Sequence, residues 1–65
     1  MTVEEVKERI NSIDEAKEDY EAAHDMEDEL HQEVLRAIAN GADNAKQLAE
    51  EALKTTDIEF ARYCA

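Results

Sequence analysis

Proline is absent from this sequence, tryptophan is absent, and glycine and cysteine occur once each. Without proline, nothing forces a helix to break, and Gly41 is the one strong signal for a turn. A lone cysteine, Cys64, excludes an intrachain disulfide. It fits a reducing compartment, or a thiol that pairs between molecules. A small half-buried thiol is the simpler reading of Cys64, and a reactive or bridging one the alternative. Only three aromatic residues are present, so the core must be built mainly from aliphatic side chains. No apolar run approaches the roughly 20 residues of a membrane span. The segment Met1-Thr2-Val3-Glu4-Glu5 has neither the basic start nor the apolar run of a secretory signal. A cytoplasmic protein is the expectation.

Positive charge is also scarce. Seven basic residues face eighteen acidic ones, for a net charge of −11 over 65 residues. Such a chain is repelled by DNA, RNA and anionic lipid, so its partners are expected to be basic protein surfaces or cations, with no direct nucleic acid and no membrane. The imbalance is local. Residues 1–33 hold thirteen acidic side chains against Lys7, Arg9 and Lys17, a net of −10, whereas residues 34–65 are close to neutral. Charge of this size can signal disorder. The hydrophobic fraction of 43% and its regular spacing argue against that.

The spacing is helical throughout, and alternating strand patterns are absent. Thr2 and Glu5 form a capping box at the start of a first helix, followed by an apolar row Val3, Val6, Ile10 and Ile13. Asn11-Ser12 interrupts or ends it. Ser12 with Glu15, or Asp19, can open a second helix, leaving the junction undetermined. This second, dominant helix runs from about Asp14 or Asp19 to Ala39. Its apolar stripe is Ala16, Tyr20, Ala23, Met26 or Glu27, Leu30, Val34, Ala37 and Ile38. Asn40-Gly41 stops it. A third helix starts near Asp43 or Asn44 and ends near Thr55, with Ala45, Leu48, Ala49, Ala52 and Leu53 on its apolar face. Thr56 and Glu59 form a further capping box for a short last helix, Asp57 to about Tyr63, whose Phe60 and Tyr63 fold back on the core. The expected fold is all-α: one domain, residues 1–65, a small helical bundle with a long central helix, an N-terminal helix and two short C-terminal helices.

Four features bear on function. First, Asp14, Glu18, Glu21, Asp25, Asp28 and Glu29 recur at helical spacing on the side of the second helix opposite its apolar stripe. Like charges at such spacings cost a helix a few tenths of a kcal/mol per pair. A sequence shaped by stability alone would place lysines among them. Neighbouring carboxylates rise about 4.5 to 6 Å along the axis, a spacing similar to that of phosphates along a nucleic-acid strand. Such a face suits a basic groove that otherwise holds DNA or RNA. The plainer reading is a solvated face. Second, His24, Asp28 and His31 stand at i, i+4 and i+7, a row that offers candidate metal ligands. One helix rarely closes a tetrahedral site by itself. Histidines paired with Asp28 and Glu27 are the simpler account, and no metal or other cofactor is expected. Third, nothing points to catalysis. There is no nucleophile with a base at motif spacing, no phosphate loop, and the chain is too short to enclose a substrate pocket of the usual size. Fourth, the row Val3, Val6, Ile10 and Ile13 has heptad spacing. It serves as internal core or, alternatively, as the seam of a homodimer.

The stretch Glu21-Ala22-Ala23-His24-Asp25-Met26-Glu27-Asp28-Glu29-Leu30-His31 and the C-terminal Ala52-Leu53-Lys54-Thr55-Thr56-Asp57-Ile58-Glu59-Phe60-Ala61-Arg62-Tyr63-Cys64-Ala65 resemble short acidic proteins encoded by bacteriophages and prophages. The resemblance implies a context rather than an activity. Small phage proteins of this charge often inhibit host nucleic-acid-binding machinery by imitating DNA, and they share charge rather than a residue motif. The expected function is therefore an acidic inhibitor or adaptor, not an enzyme, that binds a basic surface of a host protein through Asp14, Glu18, Glu21, Asp25, Asp28 and Glu29. A structural or regulatory helical module that homodimerises through its apolar stripe is the alternative.

Overall fold

The computed structural model describes residues 1–62. Among them are three α-helices, α1 (Val3–Glu15), α2 (Tyr20–Ala39) and α3 (Ala45–Ala52), and a 3-10 turn, Leu53–Asp57, with no strand. The all-α bundle with a long central helix is therefore the observed fold.

The starts of α1 and α2 and the end of α2 have local causes. The Thr2 hydroxyl oxygen accepts from the Glu5 backbone N–H at 3.1 Å and donates to the Glu5 carboxylate at 3.3 Å, which caps α1. Asn11-Ser12 does not break this helix. The Ser12 hydroxyl donates to the Glu8 carbonyl four residues back, at 3.2 Å, so it is satisfied within α1 and caps nothing. The chain turns over Ala16–Asp19 instead. Asp19 then caps α2, its Oδ1 accepting from the Ala22 N–H at 3.3 Å. The second helix thus starts at the later of its two candidate points. At its far end Gly41 adopts φ +87°. The Gly41 N–H donates to Ile38 O and the Ala42 N–H to Ala37 O, closing a Schellman motif. Asn44 precedes α3 without a side-chain cap. Its Nδ2 donates to the Met1 carbonyl at 3.1 Å and ties the N-terminus to α3.

The expected fourth helix is not formed. Thr55 and Thr56 donate their hydroxyls back to Ala52 O and Leu53 O, which tightens the end of α3 into the 3-10 turn. Thr56 is therefore not free to cap with Glu59, and Ile58 is extended. Residues 59–62 run on without regular structure. Tyr63 and Cys64 lie outside the described residues.

The core is small and aliphatic. Val6 and Ile13 of α1, Ala23, Leu30 and Val34 of α2, and Leu48 and Ala52 of α3 are buried, with Val3, Ile10, Ile58 and Phe60 packed around them. The row proposed for a homodimer seam is thus spent inside one chain. The Cα envelope measures 34 × 22 × 14 Å. Its shortest dimension equals one helix-to-helix spacing of about 9 Å plus one Cα cylinder of about 4.6 Å. The bundle is two layers thick, and each helix keeps one face towards solvent.

Candidate protein-interaction surface

The outward face of α2 is acidic over its N-terminal half and carries Gln32 and Arg36 towards its C-terminal end, with the exposed Leu35 at its edge. The six carboxylates expected on one face are all exposed, but they do not share one helix. Asp14 belongs to the last turn of α1 and pairs with Lys17 at 3.2 Å. Glu18 sits in the turn between the helices. The early helix start that would have joined them to α2 does not exist. Glu21, Asp25, Asp28 and Glu29 remain on α2 within an arc of roughly 100°, and span about 12 Å along its axis rather than the 22 Å from Asp14 to Glu29.

The cations of the N-terminal half are engaged elsewhere. Lys7 pairs with Glu4 at 3.7 Å, Lys17 with Asp14, and Arg9 with Glu33 at 2.6 Å. The Arg9 hydrogen bond holds the Glu33 carboxylate below the usual glutamate range, and Arg9 itself is raised by that bond. Within the outward face, Asp28 meets His24 Nδ1 at 3.7 Å. Among the described residues no lysine or arginine comes within ion-pair distance of Glu21, Asp25 or Glu29.

Towards its C-terminal end the flank of the same helix that faces α3 is apolar. His31, Val34, Leu35 and Ile38 of α2 face Ala49 and Leu53 across a groove of about 260 Å³. Leu35 is 65% exposed and Leu53 63%. Leu53 was expected on the buried face of α3, but it stands where α3 tightens into the 3-10 turn and so leaves that face. Leu35 lies roughly 100° round α2 from the buried row of Ala23, Leu30 and Val34, by the helical repeat. Its signal in the sequence was that position: a large apolar residue off the apolar stripe.

A polar cluster lies one turn back along α2 from His31. Glu27 is 6% exposed, and Arg62 grips it with two hydrogen bonds, Nε to Oε1 at 2.9 Å and Nη2 to Oε2 at 3.0 Å. The same guanidinium donates to the carbonyls of Thr55, Ile58 and Phe60 and lies 3.8 Å from the centre of the Phe60 ring. Burial pushes the Glu27 carboxyl up. The hydrogen bonds of Arg62 and Thr55, with the charges of Arg62 and His31, outweigh burial and hold it below the ordinary glutamate range. His31 Nε2 lies 2.9 Å from the Thr55 hydroxyl. The sequence placed Glu27 beside the apolar stripe without its partner, because an ion pair 35 residues apart leaves no spacing signal. His31 is thus engaged by Thr55 and His24 by Asp28. Among the described residues no group of three or more His, Cys, Asp or Glu side chains is arranged to hold a metal ion. Among them also, no helix is long and apolar enough to cross a membrane. Comparison with protein-family models, curated proteins and solved structures returned no match.

Proposed function

We propose that this chain is an acidic binding module that occupies a basic surface of another protein, of the kind that otherwise holds nucleic acid, in the manner of the small phage inhibitors it resembles. The observation that carries this reading is the disposal of the cations. The three basic residues of the N-terminal half make their ion pairs with Glu4, Asp14 and Glu33, although the Arg9 charge is also felt at Glu29, and Glu21, Asp25 and Glu29 stand exposed beside one another. A face arranged this way keeps its field for an incoming cationic surface, which speeds association and makes it salt-sensitive. Glu18, exposed in the turn just before α2, adds to the same field, whereas Asp14 is paired with Lys17.

The test is a pull-down from bacterial lysate at low and high salt, repeated with the variant E18K/E21K/D25K/E29K. All four positions are exposed, so the variant is expected to fold. The expected result is capture of nucleic-acid-binding proteins that salt releases and the variant does not retain. Capture that survives both salt and charge reversal would sink the reading.

A further inference from the structure

The groove between α2 and α3 is continuous with the acidic face. Glu21, Asp28 and Leu35 follow one another at intervals of seven residues, on a line that drifts by only about 20° per interval. Moving down α2 from the exposed Leu35, a ligand meets Asp28 after about 10 Å and Glu21 after about 21 Å. The groove, at about 260 Å³, is smaller than the roughly 300–1,000 Å³ of sites that enclose a small molecule. It is suited to anchoring side chains presented by something larger. A second copy of this chain is disfavoured as that occupant, because each copy brings a net charge of −11.

The chain's own tail shows which chemistry α2 accepts. Ile58 and Phe60 pack against the core, and Arg62 follows them onto Glu27. An apolar pair followed by a cation covers α2 around Glu27. From His31 to Ile38 the same flank is left open as the groove.

We infer that the groove is the anchoring site of a cationic amphipathic helix of the partner protein, which seats apolar side chains between Leu35 and Leu53 and lays lysines or arginines against Asp28, Asp25 and Glu21. This rests on the acidic-face reading above and adds to it an apolar anchor and a direction. The segment has its apolar end at the C-terminal half of α2 and its basic end at the N-terminal half. Helices bind grooves in this way through anchors at three- and four-residue spacing. The anchors carry most of the affinity and the rim charges mostly the rate of encounter.

The experiment uses a synthetic helical peptide of about sixteen residues, with leucines at one end of a face and lysines at the other, long enough to span about 21 Å. The same composition scrambled is the control. Binding is followed by amide NMR and by fluorescence anisotropy at low and high salt. The expected result is preferential binding of the patterned peptide, with shifts at Leu35, Ile38, Ala49 and Leu53 together with Asp28 and Glu21. L35S/L53S should weaken binding by about tenfold or more at either salt concentration, as for loss of a buried anchor. E21K/D28K should weaken it chiefly at low salt. Both leucines are largely exposed, so circular dichroism should show the fold of L35S/L53S unchanged. If charge reversal weakens binding and L35S/L53S does not, the groove inference fails and the acidic-face reading stands. If only the leucines matter, the occupant is not cationic and both fail. If sedimentation shows the chain pairing with itself and L35S/L53S abolishes that pairing, a second copy fills the groove and the inference is overturned.

Discussion

Arg62 is the residue whose loss should be felt most widely. It satisfies both oxygens of the buried Glu27 carboxylate and three backbone carbonyls of the tail. Arg62→Ala would leave a charge 6% exposed without its main partner. The guanidinium itself is one-third exposed, which discounts the cost. A loss of about 1–2 kcal/mol is expected, read from the urea midpoint. Arg62→Lys should recover only part of it, because an ammonium cannot make the paired contact. Acid should act on the same pair. The native Glu27 carboxyl titrates below its unfolded value of about 4.5, so its contribution is complete above that pH and is lost as pH falls through the native pKa. The stability gap between the wild type and Glu27→Gln should therefore close in denaturation curves taken from pH 6 down to pH 3. None of this pairing was legible in the sequence. Glu27 sat at a position where helical period favours an apolar residue, and spacing pointed only to His31, four residues on, and not to Arg62.

At the level of elements, the chain's stop signals are stronger than its start signals. Asn40-Gly41 ends α2 where the sequence says it should, because the left-handed conformation at φ +87° suits glycine and few other residues. No atom lies within 4 Å of a Cβ built at Gly41, so Gly41→Ala would meet only backbone strain. It should cost about 1–2 kcal/mol, and Gly41→Asn clearly less, in parallel thermal melts. The starts were harder to place because four hydroxyl or carboxylate residues competed for them. Thr2 and Asp19 cap; Ser12 and Thr56 instead bond back to carbonyls of the preceding turn. Local sequence does not distinguish these uses, since the same hydroxyl satisfies either geometry. The placement of Asp14 and Glu18 failed for this reason and no other. The starts of α1 and α3, the apolar row of α1 and the end of α2 at Ala39 were readable from spacing, whereas the start of α2 stayed open between Asp14 and Asp19, and the tail's course, set by contacts with α2 far back in the chain, was not readable.

Across the whole molecule, charge and stability oppose each other. A net charge of −11 on a 65-residue bundle strains the folded state by self-repulsion. Added sodium chloride should therefore raise the melting temperature, most steeply below about 0.1 M, where the screening length still exceeds 10 Å. The variant E18K/E21K/D25K/E29K changes the net charge by eight units, from −11 to −3. It should melt higher than the wild type at low salt, with the difference shrinking as salt is added. A variant that gains stability while losing its partner would mark the acidic face as one kept for binding at the expense of the fold. Equal melting temperatures at low salt would remove that conclusion.

The grip of Arg62 on Glu27 also decides how a protease sees the end of this chain. Trypsin must draw an arginine side chain into its own acidic specificity pocket before it can cut. Here that side chain is already held by a carboxylate of α2, with its backbone neighbours tied to the same guanidinium. Cleavage after Arg62 should therefore proceed only when the tail lifts, and its rate at modest enzyme concentration measures the fraction of molecules in which it has done so. Glu27→Gln should shed Tyr63-Cys64-Ala65 faster, while cutting after Lys54 changes little by mass spectrometry. The buried acid is, in that sense, a guard on the chain's last scissile arginine.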